Sequence, residues 1–266
     1  MVSASASFKG PQHYHDCLGP LWFEAFAADL AQRLRERPPG DVLELACGTG
    51  IVTRRLRERL DPSLRLVATD LSTAMLDFAR ARLARREDIE WREADLSKLP
   101  FQDEEFGAVV CGFGLMFAPD WQGALKEARR VLAMGGVLLF SVWGNIEDNP
   151  HALTSAEVLE AMLPGDPDVG IRRPYRMNDP SLLRGLLAAA RFHETCIETR
   201  RIPVSGADPR DIATGQIRGT PRAALLEKRR VPLDVAIEKV ADALTKMGGD
   251  PYNGHAQAVI VEALAI

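Results

Sequence analysis

The chain has only 4 cysteines in 266 residues (Cys17, Cys47, Cys111, Cys196), spread far apart and without a C-x-x-C pair. That spacing excludes a disulfide framework and offers no zinc knuckle. The histidines and carboxylates show no ligand spacing either, so no metal is expected. No apolar run reaches the roughly 18 residues of a membrane span. The opening MVSASASFKGPQHYHD lacks the charged-then-apolar layout of a signal peptide. A cytoplasmic protein is the expectation. A basic excess is also missing: 33 Lys and Arg stand against 37 Asp and Glu, a net charge of −4. Nothing is then available to neutralise phosphates in bulk, and nucleic-acid or anionic-membrane partners are not expected. Internal repeats and low-complexity stretches are absent.

What is present is a globular composition, 46% hydrophobic and 26% charged, able to bury a sizeable core. Leu21, Phe23, Ala27, Leu30 and Leu34 predict an amphipathic helix, ended by Arg37, Pro38, Pro39 and Gly40. Residues 1–10 are expected to fray. Strands are then predicted at Val42–Ala46, Arg65–Asp70, Ile89–Glu93, Gly107–Phe113 and Val137–Trp143. Between them lie a helix from Ile51, one capped by Ser72 and running to about Arg85, and one capped by Asp120 and stopped by Gly135 and Gly136. Short, nearly all-apolar strands alternating with helices mean a parallel sheet covered on both faces, an open doubly wound α/β fold. Beyond Gly144 come a helix (Leu153–Met162), a PGDPDVG loop, a helix (Pro180–Ala190) and a strand (Glu194–Val204). Two or three helical pieces over 208–247 and a last strand (Ala256–Ala263) follow, giving seven strands.

The strongest chemical signal is the first strand–turn–helix. Gly48 and Gly50 allow a tight turn and the close approach of a ligand, and the next helix aims its N-terminus there. Asp70 ends the second strand, where an acid can accept from both ribose hydroxyls. Together they predict an adenosine-containing cofactor. Thr53 stands where a nicotinamide fingerprint needs its third Gly, and the P-loop pattern is absent. The acid Glu44 before the turn suits an amino-acid tail, where a diphosphate would be repelled. The blander alternatives are a structural turn at Gly48/Gly50, a helix-start acid at Asp70, and an Asp95 that only caps the turn at Leu96-Ser97. Cys47 and Cys111 read most simply as small buried residues.

VLELACGTG, ATDLSTAML, EADLSKLPF, FGLMFAPDWQGALKEARRVLAMGG and the closing VIVEA together resemble the class I S-adenosylmethionine-dependent methyltransferases. The similarity points to the small-molecule branch that includes the ubiquinone and menaquinone C-methyltransferases. It covers most of 40–144, and the rest by layout. The resemblance implies a Rossmann-like seven-stranded sheet of order 3-2-1-4-5-7-6, the last strand antiparallel, with helical lid insertions. It implies one domain over 1–266: an N-terminal lid (1–40), a cofactor core (41–144), substrate-side insertions (145–178 and 205–253), and segments 179–204 and 254–266 completing the sheet. Glu44, Ala46, Cys47, Gly48 and Gly50 would surround the methionine tail of S-adenosylmethionine. Asp70 would hold the ribose, and Leu71 and Met75 would pack on the adenosine. Ala94, Asp95 and Leu96 would meet the adenine, and Cys111 the methionine side. Ala46 stands where the family most often has Gly, and its methyl is expected to shift the tail slightly.

Methyl transfer needs in-line positioning and desolvation, with an aromatic near the sulfonium as a possible aid. The resemblance also implies Tyr14, in a segment that in this family often folds over the cofactor, as a further cofactor contact. Trp22, Phe113, Trp143 and Arg173 are the substrate-side candidates. His151 follows the fifth strand and is the candidate general base for a hydroxyl acceptor. His193 and His255 read as structural. The expectation is methyl transfer to O, N or C of a small molecule, leaving S-adenosylhomocysteine, by a monomer or homodimer. Two rivals stand beside it: a non-methylating reaction such as a cyclisation, and a non-catalytic binding protein on the same fold.

Overall fold

A computed structural model describes residues 10–34, 38–86, 88–164 and 171–266. The expected fraying of 1–9, the stop at Arg37 and most of the PGDPDVG loop lie outside the described residues. The chain begins with α1 (Gly10–His13), a π-helix (Tyr14–Phe23) and α2 (Glu24–Arg33). Next come β1 (Val42–Glu44), α3 (Ile51–Arg59), β2 (Leu66–Asp70), α4 (Thr73–Arg82), β3 (Ile89–Glu93), β4 (Phe106–Gly112), α5 (Trp121–Val131) and β5 (Leu132–Trp143). The remainder is α6 (Pro150–Met162), α7 (Pro180–Ala189), β6 (Phe192–Ala207), α8 (Pro209–Arg218), α9 (Arg222–Lys228), α10 (Leu233–Gly248) and β7 (Tyr252–Ala265).

The seven strands form one sheet in the expected order, β3-β2-β1-β4-β5-β7-β6. β1 pairs in parallel with β2 and β4, and β7 runs antiparallel to β5. Val42, Leu43, Leu66, Val67, Ala68, Ala108, Val109 and Val110 are fully buried, as strands covered on both faces must be. Two compact units result. The α/β unit comprises Glu24–Asn149, Arg172–Ile202 and Gln257–Ile266. The helical unit comprises the residues up to Phe23, Pro150–Ile171 and Pro203–Ala256. Within the helical unit, α10 packs on α8 and α6, and the π-helix packs on α8.

Three local expectations are corrected. The first helical run starts at Gly10, before the periodic stretch, and passes through a π segment containing Pro20, which has no N–H to give to an α-helical ladder. α4 is capped by the Ser72 hydroxyl, as expected, but ends at Arg82. α5 ends at Val131, and Gly135 and Gly136 lie inside β5. Burying Leu132 completely against the sheet, in register with Phe106, outweighs continuing the helix. Among the described residues no helix is long and apolar enough to cross a membrane, and no His/Cys/Asp/Glu group could hold a metal ion.

Candidate functional site

β3, β2, β1 and β4 are mutually parallel, so their C-terminal ends share one edge of the sheet. The strand order reverses beside β1, where open α/β sheets bind ligands. β1 delivers Glu44 to this edge almost completely buried, at 1% exposure. Glu44 Oε2 has no hydrogen-bond partner among the described residues. Burial pushes the carboxyl up to about 8, the Asp70 charge adds to this, and the Thr53 hydroxyl and amide only partly offset it. Thr69 Oγ1 donates to the Glu44 backbone oxygen at 2.8 Å. Cys47 N–H donates to the Thr69 carbonyl at 2.8 Å, which ties the turn to β2.

The turn holds Ala46, Gly48 and Gly50 at φ +52°, +55° and +79°. A Cβ built on Gly48 would meet nothing within 4 Å, so the turn has an open face there. α3 starts at Gly50 without a side-chain cap, which leaves its first amides without a side-chain acceptor. Asp70 is seated on this turn. Its Oδ2 accepts from Gly48 N–H and its Oδ1 from Ser72 N–H, both at 2.8 Å. Burial raises its carboxyl above the usual range, and the amides of Ser72, Gly48 and Leu71 offset part of that.

Leu71 follows with 67% of its surface exposed, and Met75 on α4 is half-buried. Ala94 is buried and its N–H donates to the Asp70 carbonyl at 3.1 Å. Leu96 is half-buried and Asp95 exposed. Asp95 Oδ1 accepts from the Ser97 N–H and hydroxyl, which hold its carboxyl below the usual range. The turn-capping alternative for Asp95 is therefore present, and it engages one of the two oxygens.

Cys111 is fully buried, and burial pushes its thiol up to about 12, with the Gly114 and Leu115 amides opposing. A side chain closed off in this way does not suit the contact expected of it on the methionine side. Ala46 is half-buried. A Cβ on Gly114 would collide with Ala46 Cβ and stand 2.9 Å from Cys111 Sγ. The missing side chain at 114 thus makes room for the methyl at 46.

Phe113, at φ +57°, is a bulky residue in a region that such residues rarely occupy. Its N–H donates to the Ser141 carbonyl at 3.0 Å. Its ring lies 4.4 Å from Trp143 and 5.3 Å from Phe26, and Trp143 lies 6.0 Å from Tyr175. Phe113 and Trp143 are therefore brought together, both buried. Arg173 is exposed, at the start of the short helical turn Arg173–Tyr175.

The other candidates belong to the helical unit. Tyr14 is half-buried and stacks on Phe23 at 4.9 Å. Trp22 is buried and stacks on His151 at 4.3 Å. His151 is itself buried, at 1% exposure. Burial, with Arg222 and His255 acting in the same direction, pushes its imidazole down to about 3. A ring that stays neutral far below pH 7 is a weak proton acceptor, so these surroundings do not suit the general base expected at 151. Sequence reading passed over Thr69 and Gly114. The only signal for Gly114 was the G-F-G run closing β4, and for Thr69 there was none, because each acts across elements.

The methyltransferase domain family matches residues 43–140, the segment carrying the glycine turn, Asp70 and Asp95. A demethylmenaquinone methyltransferase of Thermus thermophilus is 40% identical over 122 residues, 43% of this chain and 55% of that protein. The chain spans about half the length of the curated relatives it matches. Haemonchus contortus phosphoethanolamine N-methyltransferase 2, solved with phosphomonomethylethanolamine and S-adenosylhomocysteine, superposes with TM-score 0.60 at 15% identity. That likeness covers 97% of this chain and 57% of the other. A geranyl diphosphate methyltransferase, solved with geranyl diphosphate and sinefungin, gives 0.53 at 16% identity over 91% of this chain and 77% of its own. Residues 43–140 thus match a methyltransferase domain family, and the chain shares the Rossmann-like fold of these solved methyltransferases.

Proposed function

We propose that the chain transfers the methyl group of S-adenosylmethionine to a small organic acceptor. The observation that carries this is Asp70 seated on the glycine turn through Gly48 N–H. It supports a tail site and a ribose site side by side at the strand-order reversal. The residues fit the cofactor. The orphaned, buried Glu44 Oε2 offers a carboxylate to an ammonium group. The open face at Gly48 admits the tail, and each Asp70 oxygen keeps a lone pair for a ribose hydroxyl. Leu71 offers an exposed apolar surface to a purine, beside Met75, Ala94 and Leu96.

Bound S-adenosylmethionine supplies a sulfonium methyl already activated for in-line displacement. The protein's share is to hold the acceptor in line and exclude water. The aromatic group of Phe26, Phe113 and Trp143 is suited to line an apolar acceptor and to favour a cation nearby. The names of the curated relatives support a quinone-type acceptor. The family match covers residues 43–140, so we assign acceptor choice chiefly to residues outside it, Phe26 and Trp143 among them.

The test is calorimetric titration of S-adenosylmethionine and S-adenosylhomocysteine into wild type and Asp70→Ala. Micromolar binding lost in the variant supports the assignment and is followed by transfer of a labelled methyl group to naphthoquinols. A folded wild type that binds neither compound refutes it.

A further inference from the structure

Thr53 stands where a nicotinamide-binding turn has its third glycine, three residues after Gly50. It is the third residue of α3 and is fully buried. The hydroxyl of a helical threonine can close on a carbonyl of the preceding turn. This one makes no hydrogen bond with the described residues. Glu44 of β1 carries a matching orphan, Oε2, at 1% exposure. Polar atoms buried this way call for a polar partner.

The two residues face each other. The Thr53 hydroxyl and N–H both act on the Glu44 carboxyl, and both favour its charged form. Gly50 gives α3 no side-chain cap, so no N-cap side chain competes with Glu44 for the amides of the first turn. A carboxylate there also meets the positive end of the helix. Against these stand burial and the charge of Asp70 on β2, which favour the neutral acid. The Cys47 and Cys111 thiols lie in the same field, and burial pushes both upward, so they stay uncharged. An ammonium group arriving at Glu44 tips this balance. The carboxylate it creates draws the Thr53 hydroxyl into a charge-assisted hydrogen bond, and one event satisfies both orphans.

We propose that Thr53 is a positioning residue for the cofactor's tail, holding the Glu44 carboxylate in place to take the tail's ammonium group. The proposal rests on the methyl-transfer reading for the identity of the cofactor. Its consequence is selective: an adenine nucleoside that carries an α-amino group depends on residue 53, and the same nucleoside without the amino-acid tail does not.

The test is calorimetric titration of S-adenosylhomocysteine and of methylthioadenosine, which lacks the amino-acid tail, from about pH 6 to 8.5. Thr53→Val keeps the shape and removes the hydroxyl, and Thr53→Ser keeps the hydroxyl. Circular dichroism checks that both fold. At pH 7 Thr53→Val should bind S-adenosylhomocysteine about tenfold more weakly, and Thr53→Ser about as well as wild type. Methylthioadenosine should bind all three alike. Wild-type affinity for S-adenosylhomocysteine should rise with pH and level above about 8, where Glu44 is already charged without ligand. In Thr53→Val the rise should continue to the end of the range. A ligand-free measurement stands beside these. The stability gained by Glu44→Gln grows up to the Glu44 midpoint, and in a Thr53→Val background it should keep growing past about pH 8. Equal weakening of both ligands by Thr53→Val would make the residue structural. Thr53→Ser binding as weakly as Thr53→Val would assign the effect to the methyl group. Either result overturns the proposal and leaves the cofactor reading standing, as does a Glu44→Gln gain that levels at the same pH in both backgrounds. A wild type that binds neither ligand removes the cofactor reading and the role of Thr53 with it.

Discussion

A carboxyl group as closed off as Glu44 is costly to ionise, and the folded state therefore holds its proton to about pH 8. The unfolded chain releases that proton near the ordinary carboxylate range, about 4.3. Between these values the native state binds more protons than the unfolded one, so stability falls as pH rises through the window and is level below it. Glu44→Gln keeps the shape and removes the proton. The variant should gain on wild type from pH 5 to pH 8.5 in urea unfolding, by on the order of 2–4 kcal/mol. A constant difference across that range would show that Glu44 is not protonated in the fold. An ammonium group brought beside Glu44 would favour the ion. S-Adenosylmethionine binding at pH 7 should then release a proton, read from the buffer dependence of the calorimetric enthalpy. The pair Ala46 and Gly114 makes a second prediction at this scale. Ala46→Gly relieves a left-handed alanine and should stabilise by about 1 kcal/mol, since the gain outweighs the entropy that glycine adds to the unfolded chain. Gly114→Ala should cost about 1–3 kcal/mol by overpacking, and less in the Ala46→Gly background. Equal costs in both backgrounds would show that the two positions are independent.

At the scale of elements, what was legible in the sequence was whatever is local. The apolar runs marked the strands, Ser72 marked the start of α4, and the glycine turn marked the switch point, because each is written within a few consecutive residues; Asp70 was found from its place at the end of the next strand. The π-helix was not legible, because its apolar spacing resembles that of an α-helix and the register is set by packing on α8. Nor was the start of β5 at Leu132, where two glycines read as a helix stop while burial against Phe106 decided otherwise. Ala46 was visible as a departure, but its accommodation by Gly114 depends on two turns meeting at the sheet edge. The same holds for His151, whose position after β5 suggested a base while its burial against Trp22 was invisible. The packing of the π-helix on α8 is itself testable. A Cβ on Gly215 would collide with Leu18 and stand 2.7 Å from Cys17 Cβ. Gly215→Ala would gain up to about 1 kcal/mol of helix propensity, against an overpacking cost of about 1–3 kcal/mol. Leu18 is buried and cannot swing into water, so the net effect should be destabilising in chemical denaturation. A stabilised variant would show that the π-helix is free to move off α8.

At the scale of the whole molecule, the chain passes between its two units after Phe23, Asn149, Ile171, Ile202 and Ala256. β6 and β7 each contribute residues to both. Neither unit is therefore one continuous piece of chain, and a cut at any single point separates neither from the other. Every residue proposed for the adenosine and the tail, apart from Tyr14, belongs to the α/β unit. A ligand that binds only the folded form stabilises whatever must be folded to bind it. S-Adenosylhomocysteine at a hundred times its Kd should add about 2.7 kcal/mol, which raises Tm by roughly 5–10 °C in a chain of this size class. Because the units share strands, the whole chain should melt as one calorimetric transition, and the ligand should move all of it. Two transitions, of which S-adenosylhomocysteine moves only one, would show that the shared strands do not couple the units. Asp70→Ala should abolish the shift in either case, since the ligand term is lost with its ribose contact while the rest of the core stays in place. A shift that survives in Asp70→Ala would place the binding energy elsewhere in the unit, with Glu44→Gln the next variant to melt.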